Sequence, residues 1–256
     1  MPRKPSFDKR DWIAGLEKGL RIIEAFSDAH PRLTASTAAR RTGITRTAAR
    51  RYLRTLNHLG YLESDGQLFW LTPKTLRLGW SYFDSAKVPR AVQPFLQRIS
   101  IALGGATYFA VLDADDVVFV ARDGSNLVQN VGFVLGARVS ANVSSAGIAL
   151  LSCRSVKEVS NWLAGRKFLP YTPYTVTTRE GVRASIAKAR SRGYALLEQQ
   201  LERNVRGIAV PIRTRDAQLA GAISVGLPMG HETSEQAVAR ALPLLREAEY
   251  SLQQLL

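Results

Sequence analysis

Residues 33–60, LTASTAARRTGITRTAARRYLRTLNHLG, constrain this chain more than any other stretch. A short helix can start at a cap on Thr34 or Ser36 and run through alanines to Thr42. Gly43 follows where a helix commonly ends on a left-handed residue. Ile44 is the apolar plug of the turn, and Thr45 caps a second, longer helix. On that helix either Ala49, Leu53, Leu56 and Leu59, or Ala48, Tyr52 and Leu56, form the inward stripe. Arg46, Thr47, Arg50, Arg51 and Arg54 project away from it. Small residues in the first helix let the pair pack closely at a wide angle, the arrangement of a helix-turn-helix. A helix hairpin inside an unrelated α-helical core is the alternative, and it leaves the basic outer face without a purpose.

Charge sharpens this reading. The chain carries a net +14. Residues 1–90 hold 17 basic against 8 acidic side chains, residues 91–256 hold 18 against 13. Between residues 40 and 54 stand Arg40, Arg41, Arg46, Arg50, Arg51 and Arg54, with no acid among them. Such a concentration suits neutralisation of nucleic-acid phosphates. A solvated basic face is the plainer alternative. A membrane surface is disfavoured, because the stretch lacks a large apolar face.

Residues 60–73 read as two short strands around the turn Asp65-Gly66, a hairpin that would make the preceding motif a winged helix. Residues 76–84 are expected to form a helix leading out, with a boundary at Lys87-Val-Pro89-Arg. Beyond it the pattern is mixed. Helices are expected over 92–103, 145–151, 156–163, 180–191 and 233–255. Strands are expected over 106–112, 117–122, 194–198, 207–213 and 220–226, with a further candidate at 127–134. The predicted class is α+β, with a mixed, mainly antiparallel sheet carrying helices on its faces.

At 256 residues the chain accommodates two domains. No run of about 18 apolar residues is present, and the basic N-terminal stretch has no apolar region behind it. A cytoplasmic protein is therefore expected. The single cysteine, Cys153, offers neither a disulfide framework nor a metal cluster, so no metal or other cofactor is expected. An enzyme with a basic accessory domain is a rival class. Against it, His30, His58 and His231 are scattered, Cys153 reads as a small apolar residue, and Glu198 with Glu202 comes without any phosphate fingerprint. An architectural DNA-binding protein would have no use for the large second domain.

Several stretches, taken together and in order, resemble the IclR family of bacterial regulators over nearly the whole length. They are LEKGLRIIEAF from Leu16, the helix-turn-helix, Leu71-Thr-Pro73 with Leu76-Arg-Leu-Gly79, Arg192-Gly-Tyr194, VRGIAVP from Val205, and AISVG from Ala222. The opening FDKRDWIAGLEKG from Phe7 is similar to the branch controlling breakdown of aromatic acids such as protocatechuate and 4-hydroxybenzoate. Tyr171-Thr-Pro173 and LEQQLE from Leu197 point the same way. The resemblance implies a winged helix-turn-helix over 1–74, a linker helix over 75–90 and a GAF-like effector-binding domain over 91–256. It also implies homodimers or tetramers on palindromic double-stranded operators. Arg40, Arg41 and the basic N-terminal tail are expected to hold phosphates, and residues 45–58 to enter the major groove. Arg50 or Arg51 would bridge a guanine.

The same resemblance places the effector among residues 127–135 (Leu127, Val131 and Val134), 144–147 (Ser144, Ser145, Ala146 and Gly147), Leu197, Glu198, Gly207, and 224–226 (Ser224 and Gly226). A physical reading supports it: a helix beginning at Ser144 offers free amides and hydroxyls to a carboxylate, and small residues leave room for a ring. An ordinary capped helix against a sheet is the plainer alternative. Some relatives sensing small 2-oxo acids carry an acid at the position of Leu197 and a serine at that of Gly226. Leu197 and Gly226 thus favour an aromatic acid, with a 2-oxo acid sensor as the alternative; Glu198 could still turn inward. Arg138 and Arg206 are candidate partners for the ligand carboxylate.

Overall fold

A computed structural model describes residues 9–85, 87–124 and 135–256. Contacts divide the chain after Tyr82 into two units. The first holds helices α1 (Ala14–Glu24), α2 (Ala35–Thr42) and α3 (Arg46–His58), followed by strands β1 (Leu62–Ser64) and β2 (Phe69–Leu71). Helix α4 (Leu76–Ser85) carries the chain out.

Local chemistry accounts for these bounds. The Thr34 hydroxyl accepts from the Thr37 amide at 3.2 Å, and that of Thr45 from the Ala48 amide at 3.3 Å. Each satisfies an amide that has no partner in the first helical turn. Between the two helices Gly43 takes φ +70°, a left-handed value glycine adopts without a Cβ penalty. Ala49, Leu53 and Leu56 are the buried stripe of α3, packed with Ile22, Leu33 and Ala38, while Ile44 and Tyr52 pack against this core from its edge. Leu59 is exposed, since α3 ends one residue before it. The wing differs in detail from a two-residue turn. Ser64 pairs with Phe69, leaving a four-residue loop in which the Asp65 carboxylate accepts from the Gln67 and Leu68 amides. Those two bonds hold the Asp65 pKa below its ordinary value.

The second unit begins with α5 (Lys87–Leu103), then β3 (Ala106–Asp113), β4 (Asp116–Asp123) and β5 (Arg138–Ser140). Helices α6 (Ser145–Ser152), α7 (Val156–Leu163) and α8 (Arg179–Arg192) follow, then β6 (Ala195–Glu198), β7 (Val205–Arg213), β8 (Leu219–Pro228) and α9 (Ser234–Leu255). The six strands lie in the order β5-β4-β3-β8-β7-β6, and every described pairing is antiparallel. One face packs on α6, α7 and α8 through Ile148, Leu151, Trp162 and Ile186. The other packs on α5 and α9 through Leu96, Ile99, Leu245 and Leu252. The mainly antiparallel sheet with helices on its faces is thus realised as a helix–sheet–helix sandwich.

Two elements depart from the sequence pattern. Helix α5 starts five residues before the expected 92, because Pro89 stands in its first turn, where a missing N–H breaks no helical bond. Strand β5 was not expected; three residues are too few to show a period. The expected strand at 127–134 and the N-terminal tail through residue 8 lie outside the described residues. No described helix is long and apolar enough to cross a membrane.

Candidate nucleic-acid interface and ligand cavity

Helix α3 turns its apolar stripe inward, so its arginines face out together. Arg46, Arg50 and Arg54, four residues apart, line one groove with Thr34, Ala35 and Ser36 at the start of α2 and with Ser64, Gly66 and Gln67 of the wing. Arg40, Arg46, Arg50, Arg51 and Arg54 are exposed, and none has an ion-pair partner among the described residues. Thr47 is exposed on the same helix. Arg41 is held differently: its Nε donates to the Ala25 carbonyl at 2.8 Å, and Nη1 lies 3.2 Å from His30 Nδ1. It locks α2 onto the end of α1.

In the second unit a cavity opens between the sheet and the start of α6. Ser144, Ser145, Leu197, Gly207, Ser224 and Gly226 line it. Ser144 is the N-cap of α6, its hydroxyl accepting from the Gly147 amide at 3.5 Å. The amides of Ser145 and Ala146 fall in the first turn, where no helical carbonyl is available. Gly207 and Gly226 are cross-strand partners, flanked by Ala106 on β3, so the floor here is bare backbone. Apolar walls come from Tyr108 and Phe119, whose ring centroids lie 4.9 Å apart, and from Val143, Leu201 and Val205. Burial pushes the Tyr108 phenol up, Arg122 opposing and Glu202 adding, so it remains a neutral donor at physiological pH.

A capped basic helix with its wing, and a sheet-based cavity at a helix N-terminus, find counterparts in known proteins. Residues 15–66 match the IclR helix-turn-helix domain, and residues 80–253 match the bacterial transcriptional regulator IclR C-terminal domain. The chain belongs to the IclR family. It is 36% identical over 250 residues to the p-hydroxybenzoate hydroxylase transcriptional activator of Acinetobacter baylyi, covering 96% of this chain and 92% of that protein. It is 33% identical over 250 residues to the Pca operon regulatory protein of the same organism, covering 96% and 90%. A Rhodococcus sp. RHA1 chain described as a transcriptional regulator superposes with a TM-score of 0.81 at 33% identity, over 95% of this chain and 98% of that one. An IclR homologue from Microbacterium hydrocarbonoxydans, solved with 4-hydroxybenzoate, shares the fold at a TM-score of 0.76 and 24% identity, over 94% and 99%.

This IclR-family chain is thus an effector-controlled, DNA-binding transcriptional regulator, and its relatives are regulators, not enzymes. Among the described residues no three His, Cys, Asp or Glu side chains are grouped to hold a metal. The structure does not bring every expected cavity residue together. Leu127, Val131 and Val134 lie outside the described residues. Ala146 and Gly147 sit in the core behind the cavity wall; a Cβ on Gly147 would meet the Ala141 backbone carbonyl. Glu198 points to the opposite face of the sheet, because strand neighbours alternate and Leu197 takes the cavity side. There Arg206 Nε donates to it at 2.5 Å. Arg206 is therefore committed to Glu198, and Arg138 to Asp113 and Asp116. Neither offers its charge to the cavity. Sequence reasoning missed Tyr108, Phe119, Val143, Gln200, Leu201, Glu202 and Val205. Of these, Tyr108 carried a readable signal, since period-two counting puts it on the face opposite Phe109 in the 106–112 strand.

Proposed function

We propose that a small hydroxylated aromatic acid, of the hydroxybenzoate, protocatechuate or hydroxycinnamate type, is the effector, bound in the cavity of the second unit. The observation that carries this is the start of α6. Two buried serines and a first helical turn face a cavity walled by Tyr108, Phe119, Val143, Leu197, Leu201 and Val205, an arrangement suited to a carboxylate joined to a ring. The bare floor at Gly207 and Gly226 accepts a flat ring. Glu202 supplies an acceptor for a phenolic hydroxyl and disfavours a second carboxylate. The named roles of the two Acinetobacter relatives, and the 4-hydroxybenzoate in the Microbacterium structure, support the same class.

On DNA, α3 enters the major groove with Arg46, Arg50 and Arg54 toward base edges, and Arg40 and Arg51 toward phosphates. The protein works in the cytoplasm as a homodimer on a palindromic site, one recognition helix per half-site. The apolar groove formed by Leu16, Leu20, Ile23 and Leu78 within the first unit supports self-association.

A thermal-shift screen of the full chain against hydroxybenzoates, hydroxycinnamates and small 2-oxo acids tests the effector class. A ligand at 100 times its Kd adds about 2.7 kcal/mol of stability, a readily measured rise in Tm. A shift with aromatic acids and none with 2-oxo acids is expected. A response to 2-oxo acids alone would overturn the reading of the cavity.

A further inference from the structure

The cross-strand pair Leu197 and Gly207 lines the cavity; the next pair along the same two strands, Glu198 and Arg206, faces the other side of the sheet. Arg206 is 2% exposed, which is exceptional for a charged side chain. Its guanidinium makes four hydrogen bonds. Nε donates to Glu198 at 2.5 Å, Nη1 to the Glu232 and Thr233 carbonyls at 3.3 and 3.2 Å, and Nη2 to the Glu232 carbonyl at 3.2 Å. Ser234 adds its hydroxyl to the same Glu198 oxygen at 2.8 Å. One buried arginine thus ties the back of the cavity wall to the N-terminal end of α9.

The contacts continue. The Glu232 carboxylate takes a two-pronged bond from Arg240, both distances 2.9 Å, and Arg240 Nη1 donates to the Leu103 carbonyl at 3.2 Å. Leu103 is the last residue of α5, the first full helix of the second unit and the element through which the chain enters it. The path from the cavity wall to the C-terminal end of α5 joins two sets of arginine bonds through the covalent frame of Glu232, whose backbone carbonyl is held by Arg206 and whose carboxylate is held by Arg240. Bonds donated by a guanidinium are charge-assisted and direction-dependent, and with both its backbone carbonyl and its carboxylate held by arginines, a shift of the Glu232 backbone carries its carboxylate with it.

We propose that Arg206 is the positioning residue through which occupancy of the cavity sets the C-terminal end of α5, acting by way of Glu232 and Arg240. The assignment rests on the effector reading above. Hydrogen exchange on the full chain, with and without 4-hydroxybenzoate, tests it at amides 103–106 and 232–236. In the unsubstituted protein the acid is expected to slow exchange at least three-fold in both segments. Arg240→Gln removes the last link at a partly exposed side chain remote from the cavity. It should leave the Kd for the acid within two-fold and keep the response at 232–236, while abolishing that at 103–106. Arg206→Met should abolish both responses. An unchanged response at 103–106 in Arg240→Gln would overturn the proposal. So would loss of acid binding in Arg240→Gln, because that residue would then act on the cavity itself.

If the unsubstituted protein binds no aromatic acid, the effector reading fails and the relay is tested by a built-in perturbation. Gly207→Ala forces Ser145 aside, and its effect on exchange should reach 103–106 unless Arg240→Gln is added. An effect confined to the cavity strands would sink the relay.

Discussion

The Ser145 hydroxyl occupies the space where a side chain at residue 207 would begin: a Cβ on Gly207 would lie 2.7 Å from Ser145 Oγ. Its cross-strand partner Gly226 has no such neighbour, the nearest atom being the Ala106 carbonyl oxygen at 3.8 Å. The two glycines of the cavity floor therefore respond differently to one methyl group. Gly207→Ala is expected to displace Ser145 and destabilise the ligand-free protein by about 1–3 kcal/mol, the usual range for overpacking. Gly226→Ala should leave ligand-free stability within about 1 kcal/mol yet narrow the floor, weakening a ring-shaped acid more than a 2-oxo acid. Thermal unfolding of both variants, with and without 4-hydroxybenzoate and pyruvate, separates the effects. Equal losses of stability in the two variants would show that Ser145 does not hold this position.

The arginines of the first unit should separate into three behaviours. Arg50→Ala removes an exposed guanidinium from the groove shared by α3 and the wing, and is expected to relax base preference by about 1–3 kcal/mol at one operator position. Arg40→Ala should weaken all sequences alike and reduce the salt slope by about one. Arg41→Ala loses the bond to the Ala25 carbonyl, so its main effect should be a lower Tm of the DNA-binding unit. Binding isotherms on an operator and its point variants at several salt concentrations, set beside unfolding curves, check all three. Identical salt slopes for Arg40→Ala and the parent protein would remove Arg40 from the phosphate contacts.

Helices α2 and α3 were legible in the sequence because every signal there is local: a Thr cap at each helix start, a glycine at the left-handed turn, and an apolar stripe at helical spacing in α3. The cavity was legible only in part. Leu197 lines the cavity and Glu198 does not, since the choice between adjacent residues depends on which face of β6 meets α6, a long-range matter. The commitment of Arg206 is likewise invisible in sequence, because its acceptors at Glu232 and Thr233 lie 26 and 27 residues away. Gln200 and Glu202 were missed because they follow the end of a four-residue strand, in a turn held by the left-handed Gln199.

Acid should act through the ion pair of buried Arg206 and partly exposed Glu198. Burial works to raise the Glu198 pKa, but hydrogen bonds from Ser234 and Arg206 outweigh it, so the carboxyl titrates below its ordinary value. A depressed folded pKa means that its contribution is fully present above the unfolded carboxylate value, about 4.3, and is lost as pH falls through the folded one. Glu198→Gln should therefore be less stable than the parent at pH 7 and lose less stability between pH 5 and pH 3. Chemical denaturation at those pH values gives the difference curve. A constant offset at every pH would mean that the Glu198 carboxyl has the same pKa in the folded and unfolded states.

Self-association has its own physical signature in the first unit. Leu16 and Leu20, one turn apart on α1, are both exposed, as are Leu76, Leu78 and Trp80 on α4. Leu16, Leu20 and Leu78 share one groove with Ile23 and Tyr52. A soluble monomer rarely leaves so much contiguous apolar surface in water, because covering it contributes about 25 cal/mol for each Å². The paired change Leu16→Glu and Leu20→Glu places charge on this face without touching the core formed by Ile22, Leu53 and Leu62. Light scattering of the full chain is expected to report a dimer for the parent and a 28.2 kDa monomer, or a dimer weakened at least ten-fold, for the variant. Operator affinity should fall with it, since each half-site would be bound by one recognition helix alone. A variant that stays dimeric at low micromolar concentration, with unchanged operator binding, would move the homodimer surface to the second unit.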